Sequence, residues 1–317
     1  MNNLLLSINA VGPILLLVAL GAFLRRKGAI DDAFVKKANT LAYTYSLPFS
    51  LFEDSYTAGT DAAVRPLLLV YAVVSIVLAC TALCLIAPRF IPDRRRCGAF
   101  IQASFRSNFA ILGSTMAVQV FGSRGALPTI MLVPVVVTTF TVCSIVVFTL
   151  FSPDGDAKVH PLDLVKKVVT NPLIWGNVLG LVFRWLSVPV PGAVMSAVGY
   201  LGALATPLAL ISIGGQAGMA ARGDQAFTCH LALCCALKLV ILPVIMVIPA
   251  VLMGFSGSEV GAVFLAHCAP TGVTAYAMSM GMGSDYRFTG AAVTTTTLLS
   301  FATIFIGIFA LGSLGVI

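Results

Sequence analysis

Residues 102–115 read QASFRSNFAILGST and residues 264–274 read FLAHCAPTGVT. Each run lies inside a long apolar stretch and interrupts it with residues that a helix in hydrocarbon accommodates poorly. These are Arg106, Ser107, Asn108 and Gly113 in the first, and His267, Pro270, Thr271 and Gly272 in the second. A Pro or Gly within a membrane helix frees backbone amides and carbonyls, which survive at that depth only where protein or a water-filled cavity satisfies them. The two runs also correspond to each other. Sliding the chain on itself by 159 residues places Asn108 on His267 and Gly113 on Gly272. The same offset pairs Pro13 with Pro172, Leu20-Gly21 with Leu179-Gly180, Arg25 with Arg184, Pro48 with Pro207, Gly98 with Gly257, Phe105 with Phe264 and Gly122 with Gly281. These matches concentrate at helix-breaking residues and hold one register through the fourth stretch of each half, which reads as a duplication.

Composition sets the surroundings of these runs. Of 317 residues, 59% are apolar and 10% charged, with a mean hydropathy of +1.01. An ordinary soluble domain has roughly 45–50% and 25%, so a water-soluble fold is excluded. Ten apolar stretches are bounded by charge, Pro or Gly: 4–24, 33–53, 64–87, 98–121, 126–151, 168–188, 192–216, 226–253, 258–283 and 288–313. About 20 apolar residues span a bilayer as a helix, so the expectation is an all-α polytopic membrane protein with ten transmembrane helices. No basic residue precedes the first stretch, whereas Arg25, Arg26 and Lys27 follow it. That order argues against a cleaved leader and places the N-terminus outside. Alternate loops then collect fourteen basic residues on one side, the Arg94-Arg95-Arg96 run among them, against Arg65, Arg124 and Arg184 on the other. This asymmetry predicts an integral protein of the bacterial inner membrane with both termini extracytoplasmic. It also absorbs the net charge of +7 as topology, with no call for nucleic acid.

The polar loop 152–171 divides the stretches five and five. Residues 1–151 are expected to form a first five-helix repeat, 152–171 a cytoplasmic linker and 172–317 a second repeat. With an odd number of helices per half, the second repeat is inverted, the plan of many secondary transporters. Sites in such carriers lie near the midplane where discontinuous helices meet, so the broken fourth and ninth helices are expected to cross there. Pro48 and Pro207, at matched positions, are the corresponding scaffold breaks.

These residues carry a resemblance. The inverted five-plus-five arrangement, Arg106-Ser107-Asn108 through Gly113, Ala269-Pro270-Thr271-Gly272 with Tyr276-Ala277, and Lys238 through Pro243 together resemble the auxin efflux carrier family over essentially the whole chain. The chain departs from the family at Thr115, where Pro usually follows the glycine of the fourth helix. The resemblance implies the crossed-helix fold shared with bile-acid symporters and sodium/proton antiporters. It further implies elevator-type alternating access and substrates such as auxin or small organic acids.

Ionisable groups inside spans are functional candidates by default. Arg106 and Lys238 lie well inside stretches, while Glu53, Asp54, Glu259 and Asp285 fall near the ends, leaving no central carboxylate. The positive core favours a small organic anion. Its expected binding residues are Asn108, Ser107, Arg106, Gly113, His267, Pro270, Thr271, Gly272 and Lys238, with Asn108 a principal donor. Lys238 also reads as a structural cation on freed carbonyls or a stand-in for a bound cation, and His267 as a proton carrier or an internally bonded side chain. A coupling proton or sodium ion, the lipid bilayer and a homodimeric partner complete the expected associations.

No enzyme motif of the H-E-x-x-H or G-x-S-x-G type is found, and Asp285 lacks a second membrane acid to share a proton. No cofactor or metal site is expected: the eight cysteines show no paired ligand spacing, and Lys238 is a poor neighbour for a metal at His230 and Cys234. Two other readings stay open at this level, a membrane sensor retaining the carrier fold and a cation/proton antiporter. The first lacks an appended reporting domain and the second a core carboxylate.

Overall fold

The computed structural model describes residues 2–57, 65–152, 165–166, 169–216 and 225–317. Most of the 152–171 linker, with Lys158 and Lys167, lies outside the described residues, as does Arg222. The described chain is built from helices α1 (Asn2–Arg26), α2 (Asp32–Leu41), α3 (Leu47–Thr57), α4 (Pro66–Ile86), α5 (Arg94–Phe105), α6 (Ser114–Gly125), α7 (Leu127–Leu150) and α8 (Pro172–Trp185). It continues with α9 (Gly192–Ala203), α10 (Ala205–Gln216), α11 (Gln225–Ala236), α12 (Leu242–Leu252), α13 (Gly257–Cys268), α14 (Thr274–Gly281) and α15 (Tyr286–Ser313). No strand occurs among the described residues beyond one isolated bridge. Pro66–Arg89, Leu127–Leu150, Gly192–Gln216, Gln225–Leu252 and Tyr286–Ser313 are each long and apolar enough to cross a membrane.

Proline chemistry explains where several helices are interrupted. A π-turn at Ala42–Ser46 joins α2 to α3, another at Leu237–Ile241 joins α11 to α12, and each is followed by a Leu-Pro pair, Leu47-Pro48 and Leu242-Pro243. Proline has no N–H for the carbonyl four residues back, and its ring crowds that carbonyl. A π-turn widens the helix there: Leu47 N–H donates to Ala42 O and Leu242 N–H to Leu237 O. Leu239, four residues before Pro243, instead accepts from the Cys268 thiol at 3.7 Å. Pro207 acts similarly, since the residue four back is Ala203, the last of α9.

Two bundles follow from the packing. The largest core cluster draws all its members from residues 68–147 and 227–304, so α4–α7 and α11–α13 with α15 bury one another. The most extensive helix pairings among the described residues lie in the other group, α3 on α8 and α1 on α10, with α9 beside α3. Glycines let these helices touch backbone to backbone. A Cβ on Gly176 would overlap the Pro48 carbonyl, and one on Gly202 would come within 2.9 Å of Ser50 Cα. Two smaller clusters join the bundles: Ile14, Val18, Leu210 and Ile213 meet Leu112 and Tyr276, while Leu47, Leu51 and Leu173 meet Phe148 and Met278. A polar contact crosses the same seam, where Asn177 of α8 accepts from Ser55 Oγ at 2.7 Å and donates to Thr138 Oγ1 of α7 at 2.9 Å.

Candidate functional site

The helix α5 ends at Phe105, and Arg106 leaves it in an extended conformation (φ −71°, ψ 124°). The helix α13 ends at Cys268, and Ala269 is likewise extended (φ −58°, ψ 143°), as the steric demand of the following proline requires. The two unwound segments pair with each other. Ser107 and Thr271 form an antiparallel bridge, Asn108 N–H donates to Pro270 O at 2.8 Å and Gly272 N–H to Arg106 O at 3.4 Å. Two of the amides released by the breaks are therefore satisfied by the opposite segment. Gly272 permits the approach: a Cβ there would sit 3.2 Å from the Ser107 carbonyl oxygen. Gly113 ends a π-turn (Phe109–Gly113) ahead of α6, so this break lies before the glycine.

Lys238 closes the junction from the π-turn of α11–α12. Its ammonium donates to Phe105 O at 3.2 Å and His267 O at 3.0 Å, at the C-terminal ends of α5 and α13, and the side chain is fully buried. Two negative helix ends thus share one cation. Lys238→Met removes the charge at similar volume and leaves two buried carbonyls without their donor, a loss of about 1–3 kcal/mol. The variant is expected to melt at lower temperature in detergent. An unchanged or raised melting temperature would show that burying the ammonium costs as much as its bonds return.

Arg106 turns the other way. Its guanidinium donates to Thr141 Oγ1 (3.5 Å), Ser144 Oγ (3.3 Å) and Thr274 Oγ1 (3.0 Å), and no carboxylate among the described residues pairs with it. It lines a cavity of about 280 Å³ between the bundles, together with Ser107, Asn108 and Gly272 on the junction side. Ser50 and Asp54 of α3 and Thr206 of α10 form the opposite wall. The buried Ser107 hydroxyl has no partner among the described residues.

The predicted site residues thus divide. Arg106, Ser107, Asn108 and Gly272 reach the cavity wall, whereas Lys238, His267, Gly113, Pro270 and Thr271 do not. His267 is buried against Ser75 Oγ at 3.0 Å, and Thr271 Oγ1 donates to Ala103 O at 2.8 Å. Of the threonine run 294–297, Thr296 bonds back to Ala292 O and accepts from Thr271 N–H. Glu259 and Asp285 serve as helix caps and pair with Arg65 and Arg96. Asp54 is the cavity residue that sequence reasoning missed. It lies near the end of a stretch and is exposed, and Leu47, Ser50, Leu51 and Asp54 follow the i, i+3, i+4, i+7 spacing of one helical face, which turns it to the cavity. The helix ends at the junction do not follow the 159-residue offset of the sequence. The caps Asp93 and Ser256, and the helix ends Phe105 and Cys268, lie 163 positions apart rather than 159. Counted from those helix ends, Asn108 stands level with Thr271.

A family model described as "Membrane transport protein" matches residues 6–308. An uncharacterized transporter of Methanothermobacter thermautotrophicus is 23% identical over 296 residues, which cover 93% of this chain and 95% of the relative. With nearly the whole chain matched, this protein belongs to the membrane transport protein family, that of the auxin efflux carriers.

Proposed function

We propose that the protein is a secondary transporter of a small organic anion, working by elevator-type alternating access. The observation that carries this reading is the position of the cavity. It lies between the bundle that buries the largest core cluster and the bundle of α1–α3 and α8–α10, and the unwound junction and Arg106 form one wall. In this reading the α4–α7 and α11–α15 bundle moves as a body against α1–α3 and α8–α10, taking the junction from one membrane face to the other. A guanidinium held only by neutral hydroxyls retains a full charge that an anion can offset. Asn108 adds a neutral donor, so binding need not become too tight for release.

The same proposal includes ten spans in two inverted repeats, with both termini outside a bacterial inner membrane. Contacts in the second bundle support the repeat. Gly21 of α1 abuts the Ile211 backbone of α10, and Gly180 of α8 abuts the Phe52 backbone of α3. Gly180 stands 159 positions after Gly21, and Ile211 stands 159 after Phe52, so one contact occurs twice with the partners exchanged.

Counterflow in proteoliposomes with labelled mono- and dicarboxylates tests the function. Wild-type protein is expected to exchange at least one of them. Asn108→Ala should raise the apparent dissociation constant about fivefold, the worth of one hydrogen bond. Asn108→Asp should raise it further by setting like charge against the anion. A preference for cations across the panel, or unchanged carboxylate binding in Asn108→Asp, would overturn the proposal.

A further inference from the structure

We infer that Asp54 is the proton-carrying group of this cavity, so that each anion is bound together with one proton. The inference rests on the anion reading above and adds the coupling ion to it. Asp54 reaches the cavity from α3, and Arg106 and Asn108 reach it from the other bundle. No hydrogen bond or ion pair to the Asp54 carboxylate is found among the described residues. Of the other ionisable groups near α3, neither Glu53 nor Tyr56 nor Arg184 lines the cavity. Glu53, its chain neighbour, faces α9, where a Cβ on Gly199 would lie 3.0 Å from its Oε1. Arg184 of α8 donates to Tyr56 O at 3.3 Å, and Tyr56 OH donates to Val188 O at 3.1 Å. From the junction Arg106 is the charge that lines the cavity, Lys238 lying behind it on the Phe105 and His267 carbonyls; α7 and α14 contribute the hydroxyls of Thr141 and Thr274, and α10 that of Thr206.

Charge balance gives the mechanism. Ionised Asp54 and Arg106 make the empty cavity neutral, and a bound carboxylate would leave it with one uncompensated negative charge between two apolar bundles. Such a charge is costly away from water. One proton from water on the entry side, taken up on the Asp54 carboxylate as the anion binds, restores neutrality while Arg106 keeps its own proton. On the exit side the anion leaves and the proton returns to water. No covalent bond of the substrate changes. By linkage the proton and the anion strengthen each other's binding by the same factor.

The test uses full-length protein in proteoliposomes with labelled lactate and succinate, subtracting protein-free vesicles and clamping the membrane potential. Counterflow is compared at about pH 5.5 and about pH 7.5, and accumulation is measured under an inside-alkaline gradient. The wild type should exchange faster at the lower pH and accumulate a monoanion up to about tenfold per unit of gradient. In Asp54→Asn the ratio of the two exchange rates should fall to about one and gradient-driven accumulation should disappear; Asp54→Glu should restore both. A wild-type pH ratio in Asp54→Asn, or no pH response in wild type, overturns the inference while leaving anion transport standing. Failure of wild type to exchange either probe at both pH values removes the anion reading and this inference together.

Discussion

Gly214→Leu is expected to yield no folded protein. A Cβ at position 214 would overlap the carbonyl oxygen of Val18 and come within 2.9 Å of the Ala22 amide nitrogen. Both obstacles are backbone, so no rotamer change can relieve them. Leucine forces α1 and α10 apart along one of the most extensive helix pairings among the described residues. Overpacking a core commonly costs about 1–3 kcal/mol even where side chains can adjust. A backbone overlap followed by three more carbons exceeds that range and consumes much of a marginal stability of about 5–15 kcal/mol. Size-exclusion profiles after detergent extraction should show aggregate or no protein for Gly214→Leu. Gly312→Leu, where no atom lies within 4 Å of the new Cβ, should elute as wild type. A monodisperse Gly214→Leu peak would show that the α1–α10 seam can open without loss of the fold.

The same seam shows what the sequence makes legible and what it hides. Leu20-Gly21 and Leu179-Gly180 stand out as matched small residues, and each glycine meets the backbone of another helix. The position 159 before Gly214 is Ser55, a mismatch in sequence. In space Ser55 donates to Asn177, which stands 159 after Val18, the residue that Gly214 abuts. Local chemistry also marks the helix ends at Phe105 and Cys268, because proline and a cluster of polar residues follow them. The 159-residue offset does not follow the helix ends there, because Gly113 and Gly272 are identical but have different surroundings. A Cβ on the first would strike the Phe109 ring, whereas Gly272 lies in the extended pair beside Ser107. Lys238 was visible as an intramembrane charge, yet only packing shows which carbonyls it serves. Asp54 is not legible as a cavity residue in the sequence, because distance from the end of a stretch is a poor guide to which face of a helix turns toward the cavity.

Replacing Arg106 should have the largest effect on ligand binding. Thr141 and Ser144 already donate to the carbonyls of Val137 and Phe140, and they offer only their oxygens to the guanidinium. Arg106→Gln therefore orphans neither donor and should leave the fold intact. It removes the cavity's cation, and a charge-assisted bond contributes about 1.5–3 kcal/mol, so binding of lactate or succinate should weaken about ten- to a hundredfold. Arg106→Lys keeps the charge but not the planar fork and should fall between. A second substitution separates loss of a contact from loss of charge balance. With Arg106→Gln alone, an ionised Asp54 gives the cavity a negative sign that opposes any anion. Adding Asp54→Asn returns it to neutrality and should recover part of the affinity, a coupling that independent sites would not show. Equilibrium binding to the purified single and double variants measures it. Strict additivity would mean that Arg106 and Asp54 do not sense each other's charge across the cavity, and wild-type affinity in Arg106→Gln would mean that the anion is held elsewhere.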